Sequence, residues 1–94
     1  MFTVYVIKSL TRDYKYVGFT NNIVRRLNDH NNGYNKTTKP YAPFELIYTK
    51  SFTSRIEARK HEKFLKSTHG RKFLTKFLNG KDVPAQTDNY DLRK

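Results

Sequence analysis

The stretch Phe2 to Thr20, FTVYVIKSLTRDYKYVGFT, decides the fold. Phe2 to Lys8 and Tyr14 to Thr20 are dense in β-branched and aromatic residues, the composition of strands. The short, largely polar segment Ser9 to Asp13 between them predicts an antiparallel hairpin. Such a hairpin would set Tyr5 and Tyr16 beside each other near one sheet face. Gly18, inside the second run, has two readings: a bulge, or a place where the backbone leaves room for a ligand.

Downstream the hydrophobic period changes. Ile23, Val24 and Leu27 form the apolar stripe of a short helix, with Thr20 or Asn21 available as N-cap and Gly33 placed to end it. Asn31 to Pro43, with its prolines, glycine and asparagines, reads as a loop. Phe44 to Phe52 reads as a third strand. Ser54 opens a second helix through a Ser-x-x-Glu capping box to Glu57, running to about Ser67. His69 and Gly70 then read as punctuation before a third short helix, Arg71 to Leu78. The order β-β-α-β-α-α predicts an α+β domain over 1–80, with a small three-stranded antiparallel sheet flanked by helices. The apolar pattern ends there, so 81–94 is expected to be an irregular tail, with Tyr90 and Leu92 as candidates for docking.

Composition narrows the partners. Nineteen Lys and Arg against eight Asp and Glu leave a formal charge of +11 on 94 residues. A field of that sign favours a polyanion, and nucleic acid is the expected partner. The chain has no stretch of apolar residues long enough to span a bilayer and no signal-peptide core in Met1 to Leu10, so no membrane association and a cytoplasmic location are expected. With no cysteine, disulfides and thiolate metal sites are excluded, and His30, His61 and His69 form no close ligand pair. Any metal would be held by oxygen.

Three residues outside the hairpin have side chains suited to phosphate chemistry. Arg26 and His30, four apart, share one side of the first helix. A guanidinium grips two phosphate oxygens and stays charged at working pH, so Arg26 suits a phosphoryl transition state, its alternative being a solvated helix face. On the second helix Glu57 belongs to the cap. Glu62 falls near the inward stripe, where a carboxylate needs either a basic partner or a metal. Mg²⁺ keeps most of its water shell and asks for few protein ligands, so one carboxylate suffices for it.

Thr3-Val4-Tyr5 and Tyr16-Val17-Gly18, followed by Arg25-Arg26-Leu27-Asn28-Asp29-His30 and Glu62-Lys63-Phe64-Leu65-Lys66, resemble the GIY-YIG nucleases in their small single-domain branch. That family carries Gly-Ile-Tyr and Tyr-Ile-Gly on adjacent strands, an arginine and often a histidine on the next helix, and a glutamate on a later one. Here Thr3 and Val4 replace the first glycine and isoleucine. Phe19 stands where a polar or basic residue often follows the second motif, and the asparagine found in some members after the metal glutamate has no clear counterpart. The resemblance spans residues 2 to 78.

What it implies is a divalent-metal-dependent endonuclease using Mg²⁺ or Mn²⁺, with DNA a more natural substrate than RNA. Tyr16 would activate or position the attacking water with help from Tyr5, Arg26 would stabilise the pentavalent phosphate, and Glu62 would hold the metal. His30 would orient the nucleophile or take its proton. A phenol is a weak base at neutral pH, which leaves both Tyr16, as a phenolate favoured by its cationic surroundings, and His30 open as the base. Arg25, Lys36, Lys39, Lys63 and Lys66 are the expected backbone contacts. Without an appended recognition module, selection of DNA shape such as flaps, branches or single strands is expected, or specificity supplied by a protein partner; a non-catalytic nucleic-acid-binding module is the alternative.

Overall fold

The first two strands pair as the sequence predicts. In the computed structural model, which describes residues 1–79, β1 (Phe2–Ser9) and β2 (Lys15–Thr20) form a continuous antiparallel ladder in which Tyr5 faces Gly18 and Ile7 faces Tyr16. The tail expected over 81–94 lies outside the described residues. The third strand, β3 (Phe44–Phe52), adds antiparallel to the other side of β1, giving the order β2-β1-β3 with β1 central. One irregularity interrupts that second ladder between Val6 and Ile7.

Strand alternation divides the side chains of β1 between two faces. Val4 and Val6, with Val17 and Tyr48, meet Ala58 and Leu65 of α2 (Arg55–Lys66) and Leu74 of α3 (Thr68–Asn79). Tyr5 and Ile7, with Tyr14, Tyr16 and Phe44, meet Ile23 and Leu27 of α1 (Ile23–Asn31) and Tyr41 of the loop. The sheet is thus buried on both faces, by α2 and α3 on one and by α1 with its following loop on the other.

Local chemistry sets the helix ends. The N-cap of α1 is Asn22, whose Oδ1 accepts from the Arg25 amide at 3.0 Å, rather than the predicted Thr20 or Asn21. Thr20 instead receives the Asn22 amide on its own hydroxyl at 3.1 Å, which turns the chain out of β2. At the other end Gly33 takes φ of +76°, its amide donating to His30 O and that of Tyr34 to Asp29 O, the paired bonds of a Schellman cap. The predicted cap of α2 is present: Ser54 Oγ accepts from the Glu57 amide at 3.1 Å.

The third helix begins earlier than predicted. His69 and Gly70 lie within α3, which starts at Thr68. Ser67 closes α2 and opens α3 at once: its hydroxyl donates to Phe64 O at 2.6 Å and accepts from the Gly70 amide at 3.2 Å. A Cβ on Gly70 would overlap the backbone of Phe64 and Leu65, so the glycine marks where two helices touch. Gly70→Ala is therefore expected to force the helices apart and to cost about 1–3 kcal/mol, the usual range for overpacking. A lower denaturant midpoint with an unchanged slope would show it.

Candidate active site

Tyr5 is the hub of the face covered by α1. Its ring lies directly above Gly18, where a Cβ would come within 2.8 Å of the Tyr5 oxygen and 3.0 Å of the Tyr16 ring. The ladder is regular at this point, so Gly18 is not a bulge, and the room it leaves is filled by Tyr5. Tyr16 packs beside it at 6.4 Å between ring centroids. Both phenols are buried. Phe19 points to the opposite face, where it meets Phe2 edge-on at 6.4 Å, so no group at that position shares a surface with Tyr16.

α1 brings His30 to the same place. His30 is fully buried, with its ring 5.1 Å from that of Tyr16. Its Nε2 lies 2.9 Å from the Tyr5 hydroxyl and its Nδ1 lies 2.8 Å from Thr38 Oγ1. Thr38, also fully buried, donates its own proton to Asn35 O at 3.5 Å. Its oxygen is left to accept from His30 Nδ1–H, so Nε2 is the acceptor for the Tyr5 proton. Asn35 Oδ1 holds the loop by accepting from the amides of Thr37 at 2.9 Å and Thr38 at 3.3 Å. Thr38 and Asn35 carry no signal in the sequence, because a threonine in a polar loop is ordinary until its partner is known.

Electrostatics follow burial. The Tyr5 phenol is pushed well above its ordinary value by burial first and then by Tyr16, with Glu62 adding to the rise and Arg26 opposing it. His30 is lowered to about 4 by burial and next by the Arg26 guanidinium, Asp29 acting the other way. Both partners of the Tyr5–His30 bond are thereby held neutral. The structure brings Tyr5, Tyr16 and His30 into contact, while Arg26 and Glu62, on different helices, act on the Tyr5 phenol through their charges.

Glu62 Oε2 accepts from Lys66 Nζ at 2.9 Å, and both side chains are largely buried. The basic partner that the sequence left open is thus Lys66, whose ammonium is turned to the protein rather than to a ligand. Arg25, Lys36, Lys39 and Lys63 are exposed. Among the described residues no group of three or more His, Cys, Asp or Glu could hold a metal, so the donor set does not fit an all-protein cage. It does fit an ion of the Mg²⁺ type, which binds through one carboxylate and completes its shell with water and phosphate oxygens.

A family model described as the GIY-YIG catalytic domain matches residues 1–76. The chain belongs to the GIY-YIG family. Its GIY-YIG relatives include the UPF0213 protein CPE1444 of Clostridium perfringens, 31% identical over 89 residues that cover 94% of this chain and 91% of that one. The UPF0213 protein YazA of Bacillus subtilis is 36% identical over 69 residues, covering 72% of this chain and 69% of YazA. The UPF0213 protein SAG0778 of Streptococcus agalactiae is 38% identical over 61 residues, covering 64% and 69%. No solved structure matches the chain. Among the described residues no helix is long and apolar enough to cross a membrane. GIY-YIG membership places the chain in a nuclease family.

The buried neutral His30 makes stability depend on pH with a definite sign. Its folded pKa of about 4 lies below the unfolded value near 6.5, so the unfolded chain binds more protons between them and stability falls as pH drops through that window. The loss by pH 4 is expected to be on the order of 3 kcal/mol. Urea titrations from pH 7 to pH 4 should give a steep acid limb for the wild type and a shallower one for His30→Gln.

Proposed function

We propose that this protein is a divalent-metal-dependent endonuclease that hydrolyses DNA phosphodiester bonds and selects substrates by structure rather than by base sequence. The observation that carries this reading is the packing of Tyr5 against Tyr16 and His30, with the charges of Arg26 and Glu62 acting on the same phenol. Binding alone would need only cations; a largely buried carboxylate whose charge acts on the same phenol suits catalysis.

In the proposed reaction a water oxygen attacks phosphorus, a new P–O bond forms, and the bond to the leaving sugar oxygen breaks. Arg26 grips the phosphate oxygens as negative charge gathers on them. Glu62 would hold Mg²⁺ or Mn²⁺ with the phosphate and waters, supplying charge neutralisation when the ion is bound. Tyr5 gives its proton to the hydrogen bond with His30, so its oxygen keeps lone pairs with which to accept from and orient the attacking water. His30 is sealed from solvent and uses both nitrogens internally, so it acts as the positioning residue for Tyr5. Tyr16, as the phenolate left once its own proton has passed to solvent, then receives the proton of the water, and the leaving sugar oxygen takes a proton from solvent.

The test is cleavage of labelled single-stranded, duplex and branched DNA, with matched RNA, in Mg²⁺ or Mn²⁺. Metal-dependent cutting is expected, strongest on one DNA shape, with Arg26→Ala and Glu62→Ala each slower by about 10²–10³-fold while remaining folded by circular dichroism. Tyr16→Phe is expected to lose as much. Binding without cutting in either metal would overturn the reading in favour of a recognition module.

A further inference from the structure

The outer surface of α2 is a sector of cations. At about 100° per residue, Arg55, Arg59, Lys63, Ile56 and Lys60 follow one another around roughly 140° of the helix, with no carboxylate among them. Lys66 falls in the same sector but is engaged by Glu62. Glu57 lies on the far side of the wheel, and Glu62 lies at the boundary between this sector and the face that packs on the sheet through Ala58 and Leu65. Arg55, Arg59, Lys60 and Lys63 are exposed and surround Ile56, itself 70% exposed, so that together they form a ridge along the helix. No salt bridge is formed by any of these four among the described residues. Arg55 is held in place at one end, its guanidinium over the rings of Phe2 at 5.3 Å and Phe19 at 5.8 Å.

An apolar residue exposed among four uncompensated cations is a poor way to face water and a good way to face a sugar–phosphate chain, which offers anionic oxygens with apolar sugar edges between them. On the helix circumference the ridge borders Glu62, the carboxylate of the proposed site. We propose that a DNA duplex lies along α2, its phosphate backbone on Arg55, Arg59, Lys60 and Lys63, so that the strand to be cut is delivered past Glu62. The proposal rests on the nuclease reading for its direction toward the site. The affinity of the ridge for a polyanion does not depend on it. Of the four cations only Lys63 is expected from the sequence; Arg55, Arg59 and Lys60 stand out from a uniformly basic chain only once the helix gathers them on one side.

The test compares two variants that each remove two charges from exposed positions: Arg59→Ala with Lys63→Ala on the ridge, and Lys72→Ala with Lys76→Ala on α3. Fluorescence anisotropy of a labelled DNA duplex, in the absence of divalent metal, gives Kd across a salt series. The ridge pair is expected to weaken binding at least tenfold at about 0.1 M salt and to flatten the log–log salt slope by about 2, because two fewer phosphates are neutralised and their counterions stay on the DNA. The α3 pair is expected to change Kd by less than about twofold. Equal weakening by both variants would mean that net charge alone is at work and would overturn the ridge. A ridge-dependent duplex affinity in a protein that never cuts would leave the ridge standing and remove the nuclease reading; cutting with no ridge effect would do the reverse.

Discussion

The hydrogen bond from the Tyr5 hydroxyl to His30 Nε2, buried and 2.9 Å long, is the constraint from which the arrangement of this protein follows. For the Tyr5 ring to lie where it does, position 18 on the neighbouring strand must lack a side chain. For Nε2 to be an acceptor, Nδ1 must carry the proton and find an acceptor of its own, and Thr38 is that acceptor. For Thr38 to be in reach, the loop must fold back over α1, which Asn35 enforces by taking two of its amides. The helix is tied down at its last residue as well, Asn31 Oδ1 receiving the Phe44 amide at 2.6 Å at the start of β3. Two strands, one helix and one loop thus converge on a bond between neutral partners, and protonation of His30 would reverse its direction by making Nε2 the donor.

In a chain of 94 residues the same side chains must serve as core and as site. Tyr5, Tyr16 and His30 are buried to the extent usual for Leu or Val, and around them Tyr14 stacks on Tyr41 at 3.7 Å while Ile23 and Leu27 close the layer. The opposite face repeats the device away from the site: Tyr48 meets His61 Nε2 at 2.9 Å within a cluster of phenylalanines, and burial, with Lys50 after it, lowers that histidine too. Tyrosine and histidine pair well in such interiors because each satisfies the polar atom of the other while its ring fills volume. Under the proposed function, activity and stability are therefore coupled in this molecule. A loss of function at Tyr5 or His30 is informative only beside a measurement of folding.

The strands, the cap at Ser54 and the positions of Tyr5, Tyr16, Arg26 and Glu62 are legible in the sequence because each has a local or regularly spaced signal: β-branched runs, a serine three before a glutamate, a helix stripe. What the sequence does not disclose depends on contacts between distant segments. Gly70 looks like a break until α2 is seen lying against it, and Gly18 looks like a bulge or a ligand gap until the Tyr5 ring is found above it. Lys66 reads as one more cation, yet as the i+4 neighbour of Glu62 it is bound inward. His30 reads as the neighbour of Arg26 on one side of a short amphipathic helix, and only the loop over it, anchored by Thr38, shows that it is enclosed.

The scarcity of carboxylates bears on how the proposed site would be completed. With eight acids dispersed among nineteen bases, no triad of oxygen ligands is assembled among the described residues, and the one carboxylate acting on Tyr5 already has an ammonium as counter-ion. An ion bound by Glu62 alone would compete with Lys66 and gain little. An ion that arrives with a phosphate brings further oxygens, and the phosphate is attracted in turn by Arg26 and by the general positive field. Linkage requires that whatever raises the affinity for one raise it for the other by the same factor. A site of this composition would thus be weak toward a free divalent ion and strong toward the ion and the polyanion together, and that coupling would stand in for the cluster of ligands that is absent among the described residues.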